Sequence, residues 1–260
     1  MITYLSPDFS VITAYILSAV IAAVSVVIVF FAYRLLNAIP ARWLCDFDEE
    51  PTEEMLGKRY EFRLSGIFVS ALLVFVTLLC FASFGYTIYT LFSLFICYAM
   101  LLIIMSDAKY SIIPDQFTAV LAIICVAFSL YDLFLGEKLM IKSFWDILLG
   151  AVCGSGTLFI INILSILIFK KEGMGFGDVK LMVPIGAMLG FPMVFASFFI
   201  AVMTAGVYIV FLLFKKLFSK SEVSAYFPFG PFLCIGAISV LLFQNQIEYA
   251  VQWYVDMLIL

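Results

Sequence analysis

Long apolar runs recur along the whole chain and decide in which solvent it can fold. Of the 260 residues, 65% are hydrophobic and only 12% are charged, and a soluble fold of this length could not bury so much apolar surface. Runs of about 18 or more apolar residues are long enough to cross a bilayer core. Such runs lie at 11–33, 65–84, 86–106, 117–135, 144–169, 179–197, 198–214 and 229–247. We therefore predict an all-α, polytopic membrane bundle of about eight transmembrane helices, forming a single membrane-embedded domain over residues 1–260.

The absence of histidine removes several classes of chemistry. A chain with no histidine holds neither a Ser-His-Asp or Cys-His nucleophile system nor an HExxH zinc site. Its six cysteines include no CxxC pair, so neither a metal centre nor a disulfide framework is expected. A net charge of −4 argues against nucleic acid as a partner, which leaves the lipid bilayer as the predicted surroundings.

Basic residues predict the orientation of the bundle. All 14 lysines and arginines except Lys138 and Lys142 fall at loops on one face, and the positive-inside rule places that face in the cytoplasm and both termini outside. The first run lacks a basic leader and a small-residue cleavage site, so it is expected to remain as a span. In this topology the third span ends at Asp107 and the sixth begins at Asp178. Two carboxylates distant in sequence therefore reach the same cytoplasmic membrane boundary.

The segment after the third span contains two candidate acids. Asp107 directly follows an apolar helix, where the helix dipole disfavours an anion and where a charge in the interface is costly without a partner. This position indicates a function, unless Asp107 simply pairs with Lys109. Asp115 follows Pro114 and precedes an apolar run, a position typical of a helix N-cap.

The segment before the sixth span is rich in glycine. Gly173, Gly175 and Gly177 alternate before Asp178, and glycines permit positive φ and close approach of the backbone to another chain. Asp178 is expected at a helix start, where the dipole and the free N–H groups stabilise an anion. A plain N-cap is the alternative, and a phosphate site is disfavoured because the P-loop spacing is missing.

Two further pairs of glycines have the spacing of close helix packing. Gly150 and Gly154 in the fifth span, and Gly186 and Gly190 in the sixth, each form a GxxxG pattern. Small residues at this spacing let the backbones of membrane helices approach closely. Both pairs are therefore predicted to be structural.

Two carboxylates at one membrane level can support aspartyl-protease chemistry. When they are close together they cannot both ionise easily, so they share a proton. The ionised one takes a proton from the attacking water, while the protonated one donates to the carbonyl oxygen and later helps to protonate the leaving amine. Because their titrations are coupled, the sequence does not assign the two roles.

At these residues the chain resembles a known family. Gly175-Phe176-Gly177-Asp178 with Lys180 is similar to the GxGD motif of intramembrane aspartyl proteases. Asp107 followed by Ile113-Pro114-Asp115 resembles the first catalytic segment of the type IV prepilin peptidases, and residues 228–233 resemble the segment before that family's last span. The resemblance covers residues 95–240.

The resemblance implies an activity, a substrate and a set of site residues. The catalytic pair would be Asp107 and Asp178, supported by Gly175, Gly177, Lys180, Pro114 and Asp115. The protein would be an endopeptidase of the bacterial cytoplasmic membrane that needs no cofactor for proteolysis. Its substrate would be a type IV prepilin or type II secretion pseudopilin, whose short basic leader is cut at the cytoplasmic face, after glycine. The acidic run at 46–54 either attracts this leader or is a solvated loop.

The chain departs from the family pattern in the predicted cytoplasmic loop at 34–64. Many members carry two zinc-binding CxxC pairs there and also N-methylate the new terminal residue with S-adenosylmethionine. Here the loop is short and holds only Cys45. No metal is therefore expected, and S-adenosylmethionine would be needed only if methyltransferase activity is present.

Two other classes of protein stay open. Proteases of the presenilin or signal-peptide-peptidase kind share the GxGD pattern. They carry a Pro-Ala-Leu segment where this chain has Pro-Phe-Gly-Pro at 228–231, and a tyrosine before the first aspartate where this chain has Ser106. An ion-coupled transporter would favour charges near the bilayer midplane and an internal repeat. The two aspartates lie at the edge of spans, and the sequence shows no repeat.

Overall fold

The fold is all-α, as predicted from the apolar runs. The computed structural model describes residues 11–45, 53–57, 64–170, 173–218 and 227–259, and these contain no β-strand. The helices are α1 (Val11–Ala38), a short 3-10 helix (Ala41–Leu44), α2 (Glu53–Leu56), α3 (Leu64–Phe84), α4 (Ile88–Tyr110), α5 (Asp115–Phe134), α6 (Phe144–Phe169), α7 (Phe176–Leu189), α8 (Met193–Phe218), α9 (Gly230–Leu242) and α10 (Gln244–Ile259). Most of the acidic run at 46–54 lies outside the described residues, as do Lys58, Arg59, Arg63, Lys171 and Lys220.

Within the described residues, where only Ala23–Ala38 of α1 counts toward a span, fewer helices than the eight predicted runs are long enough to cross a membrane by themselves. Among the described residues five helices are long and apolar enough, and the bent pair α9–α10 would make a sixth. The predicted sixth span, 179–197, is wrong at its end because α7 stops at Leu189. Gly190 ends that helix with a φ of 69°, a turn follows, and α8 begins at Met193. The membrane side of each loop and of both termini stays a prediction.

The chain forms two compact units, Met1–Tyr98 and Ala99–Leu260. In the first unit α1 packs against α3, and a buried polar contact joins Ser25 Oγ to Thr77 Oγ1 at 3.4 Å. In the second unit α7 packs against α5, α6, α8 and α9, so that most of its side chains are buried. The prediction of a single domain over 1–260 stays a prediction.

Helices α6 and α7 touch through their backbones, which confirms the predicted role of the GxxxG pairs. A Cβ added to Gly150 would collide with the carbonyl oxygen of Gly186 and lie 2.8 Å from the Cα of Gly190. A Cβ added to Gly186 would in turn collide with the Gly150 carbonyl oxygen. Gly154 lies against the side chains of Val194 and Met182. This contact fixes the position of α7, whose first turn carries Asp178.

A carboxylate that the sequence analysis did not single out organises the loop between α5 and α6. Asp132 is fully buried, and its two oxygens accept hydrogen bonds from the backbone N–H groups of Leu139, Met140 and Ile141 at 2.9, 2.9 and 2.8 Å. A buried carboxylate is tolerated when such donors satisfy it. Asp132 therefore has a structural role at the end of α5 opposite to Asp115.

Candidate active site

Asp107 lies in the last turn of α4 with its side chain in the protein interior. Only 4% of the residue is exposed, and Oδ2 has no hydrogen-bond partner in the described part of the chain. The ammonium of Lys109 lies 5.2 Å from the centre of the Tyr110 ring and does not satisfy Oδ2. A simple pairing of Asp107 with Lys109 therefore does not account for the burial of Oδ2 without a hydrogen-bond donor. A buried carboxylate oxygen without a donor is costly, and such an atom is typical of a site that receives a ligand or water.

Asp178 is the third residue of α7 and is similarly buried, with 7% of the residue exposed. Its Oδ1 finds no hydrogen-bond partner among the residues that the structure describes. The alternative that Asp178 is a plain N-cap is wrong, because Gly175 occupies the cap position, with φ −66° and ψ 143°. Gly175 therefore does not use the positive φ that glycine permits. The first turn of α7 instead places Asp178 toward the interior.

Three segments of the second unit meet at the two aspartates. A Cβ added to Gly177 would lie 3.3 Å from the Cβ of Ile113, so the start of α7 rests closely on the segment after α4. A Cβ added to Gly230 would lie 2.6 Å from Asp107 Oδ2 and 3.0 Å from Ile113 Cδ1. The carboxylates of Asp107 and Asp178 are close enough to interact electrostatically. The predicted close approach of a glycine is thus found at Gly177, and Gly230 adds a second one.

An ion pair joins the two motif segments outside the buried pair. Lys180 Nζ donates to both oxygens of Asp115, at 2.8 and 2.9 Å, and so connects the start of α5 to α7. Asp115 is the first residue of α5, and Pro114 occupies the cap position, so the N-cap prediction for Asp115 is wrong. Both side chains are about half exposed, and such a pair contributes at most about 1 kcal/mol to stability. The main effect of the ion pair is therefore to fix the start of α5 relative to α7.

The candidate site contains no evident metal centre. Within the described ranges, no three Cys, Asp or Glu side chains come together as possible metal ligands. The six cysteines are all free. The absence of zinc and the requirement for S-adenosylmethionine stay predictions.

These features define a helical membrane protein with a buried pair of carboxylates, and comparison with known proteins gives its family. The model of the type IV leader peptidase family matches residues 94–210, a range that includes both aspartates. Leader peptidase HopD of Escherichia coli is 32% identical over 148 residues, which cover 56% of this chain and 88% of HopD. The chain therefore belongs to the type IV leader peptidase family.

Longer relatives match in part. Prepilin leader peptidase/N-methyltransferase of Legionella pneumophila is 29% identical over 188 residues, 72% of this chain and 61% of that protein. The protein of the same name from Pseudomonas aeruginosa is 29% identical over 164 residues, 63% of this chain and 53% of that protein. The chain thus spans little more than half the length of these relatives. No solved structure matches it. Its family and its apolar helices make it a multi-pass membrane protein of the bacterial inner membrane.

Proposed function

We propose that this chain is a membrane aspartyl endopeptidase with Asp107 and Asp178 as its catalytic pair. The observation that carries the proposal is that the segments bearing two buried carboxylates meet at Ile113 and Gly230. Each carboxylate has one oxygen that lacks a hydrogen-bond partner among the described residues. Membership in the leader peptidase family supports it. The same membership favours this class over a presenilin-like protease or an ion-coupled transporter.

The geometry suggests how the pair would work. Two close carboxylates hold one proton between them. The ionised carboxylate takes a proton from water as the water oxygen attacks the peptide carbonyl carbon, and the protonated one gives its proton to the carbonyl oxygen. When the tetrahedral intermediate collapses, the C–N bond breaks and the amine takes a proton from the carboxyl that received one. A hydroxyl of the intermediate gives its proton to the other carboxylate as the C=O bond of the new carboxylic acid forms. The pair then again holds one proton, so the proton count is restored.

The surrounding residues would hold the two carboxylates at a fixed position relative to each other. Gly230 and Ile113 lie against Asp107 and the start of α7, which limits where the carboxylates can move. The Asp115–Lys180 pair connects α5 to the same helix, two residues after Asp178. Catalysis depends on reacting groups being held within a fraction of an ångström. We therefore assign Gly177, Pro114, Asp115 and Lys180 to positioning, with Gly175 as the cap of α7.

The proposed substrate is a type IV prepilin or a type II secretion pseudopilin, cut at the cytoplasmic face after a glycine that ends its short basic leader. Two lines support this. Relatives are named prepilin leader peptidases, and the charge asymmetry of the loops predicts that both aspartates lie at the cytoplasmic boundary. Proteolysis by the pair requires no cofactor. S-adenosylmethionine would enter only with transfer of a methyl group to the new N-terminus.

Co-expression with a candidate prepilin tests this function. We expect a shortened product whose N-terminal residue follows a glycine, and mass spectrometry of that terminus shows whether a methyl group is added. An empty vector provides the control. An intact prepilin in the presence of folded protein would contradict the proposal, and a cut inside the transmembrane helix would favour a presenilin-like protease.

Replacing Gly230 by alanine should impair the site without unfolding the protein. The new Cβ would lie 2.6 Å from Asp107 Oδ2, so the carboxylate must move, and a displacement of about 1 Å can lower a rate about 100-fold. We expect kcat for prepilin cleavage to fall by about this factor. Gly206→Ala on α8 is the matched control, because its Cβ meets no described atom within 4 Å. Native kcat in the Gly230→Ala variant would show that the close approach of Gly230 does not position Asp107.

A further inference from the structure

Helix α10 leaves the direction of the bundle immediately after α9. α9 runs from Gly230 to Leu242 and is apolar, and α10 begins at Gln244 after a bend of 89°. If α9, with its 13 residues, runs along the bilayer normal, a helix at a right angle to it lies roughly in the plane of the membrane. Length alone would allow α9 and the start of α10 to be one broken span, so the surroundings of α10 must decide between the two arrangements.

Two polar contacts hold α10 in this orientation. The side-chain amide of Gln244 donates to the carbonyl oxygen of Leu139, and Lys142 Nζ lies 3.1 Å from a carboxylate oxygen of Glu248. Both partners belong to the loop between α5 and α6, whose backbone is in turn fixed by Asp132. The α5–α6 loop therefore stabilises the bend between α9 and α10.

The outward surface of α10 is divided into two adjoining stripes. Asn245, Gln252 and Asp256 are exposed along one edge, while Tyr249, Trp253 and Met257 follow the neighbouring edge with 75%, 60% and 51% of their surfaces exposed. Residues three and four apart lie on one face of a helix, so Tyr249, Trp253 and Met257 form one continuous line and Gln252 and Asp256 form a second line beside it. The exposed Gln246 lies in the first turn on the aromatic side. A polar edge beside an aromatic edge is the pattern of helices that lie at a membrane surface.

We propose that α10 binds the headgroup region of the bilayer, with Tyr249, Trp253 and Met257 in contact with lipid and the polar edge in water. Tyrosine and tryptophan concentrate at this level because their rings are apolar and their polar atoms still reach water. Glu248 lies on the polar edge of α10, because it is three residues from Asn245 and four from Gln252. Its ion pair with Lys142 of the α5–α6 loop is partly exposed and also requires water nearby. The proposal concerns the lipid contacts of the chain and does not depend on its catalytic activity.

Fluorescence of Trp253 in the full-length protein tests the depth of α10. The chain has three tryptophans, so W43F/W145F leaves Trp253 as the single probe, and the protein is reconstituted in vesicles of phosphatidylcholine and phosphatidylglycerol. Spin labels are placed either near the headgroup or near the end of the acyl chains. We expect the shallow label to quench Trp253 at least about twofold more strongly than the deep label.

The matched control moves the probe to the polar edge. In a W43F/W145F/W253F background, Gln252→Trp should be quenched less by the shallow label than Trp253 and should emit at longer wavelength. Stronger quenching by the deep label would show that α10 enters the bilayer core and would overturn the proposal. Absence of quenching, or quenching that disappears as the protein-to-lipid ratio rises, would overturn it in favour of water or a second copy of the chain.

Discussion

Asp107→Asn and Asp178→Asn should each lower prepilin cleavage by about 1000-fold, because asparagine can neither take nor give the proton on which both steps of the reaction depend. The substitution keeps the size of the side chain, so the fold should be retained. Either exchange removes the shared proton, and the double variant should therefore be no slower than about the slower single variant. The measurement is the rate of leader removal by purified protein in detergent or vesicles.

The control for this experiment is Asp256→Asn. Asp256 is an exposed carboxylate on α10, so its replacement makes a comparable change in charge far from the candidate site along the chain. We expect native rates from this variant. Full processing by either the Asp107 or the Asp178 variant would exclude the two-carboxylate mechanism, whatever the family of the protein.

Gly150→Ala should destabilise the protein by about 3 kcal/mol, at the upper end of the usual cost of overpacking. The added methyl group meets backbone atoms of Gly186 and Gly190, which cannot change rotamer to make room. Helix α7 must therefore move away from α6, and with it the turn that carries Asp178. We expect a lower midpoint of unfolding in detergent together with a loss of cleavage.

Gly156→Ala provides a comparison on the same helix. Its Cβ would meet no described atom within 4 Å, and replacing glycine by alanine inside a helix is intrinsically favourable by up to about 1 kcal/mol. This variant should be at least as stable as the native protein. Equal midpoints of unfolding for the Gly150→Ala variant and the native protein would contradict the prediction that α6 and α7 leave no space for a methyl group at residue 150.

Hydropathy and charge predict much of the fold because they report on the solvent of each segment. Most of the apolar runs coincide with one helix each, but 179–197 and 229–247 each cross a break between two helices. The two aspartates occur near the ends of helices as expected. The predicted end of the sixth span is wrong because hydropathy does not detect a break in the helix within an apolar sequence. There Gly190 takes a positive φ, which stops the helix eight residues before the predicted end at 197.

Contacts between distant segments explain the remaining differences. Asp115 looks like a cap in its local sequence, yet its carboxylate binds Lys180, which is 65 residues away. Asp132 lies inside the predicted apolar span 117–135, but the loop after α5 turns back to donate three N–H groups to it. The approach of Gly230 to Asp107 could be suspected only from the resemblance of its segment. No local pattern encodes these contacts, because the partner is chosen by tertiary packing.

The shortness of α7 has a consequence for how the protein meets lipid. Fourteen residues rise only about 21 Å, less than the thickness of a bilayer core, so a turn at its far end lies below the membrane surface if Asp178 is at the opposite boundary. Irregular backbone at that depth is tolerated only where protein covers it. Here Ile141 and Asp146 lie against Gly190, and Ile141 is itself fully buried. The α5–α6 loop, held by Asp132, thereby covers the backbone at Gly190, where α7 ends, while the side chains of Phe191 and Pro192 face outward. A carboxylate remote in sequence from both catalytic candidates thus helps to protect the end of the helix that carries one of them.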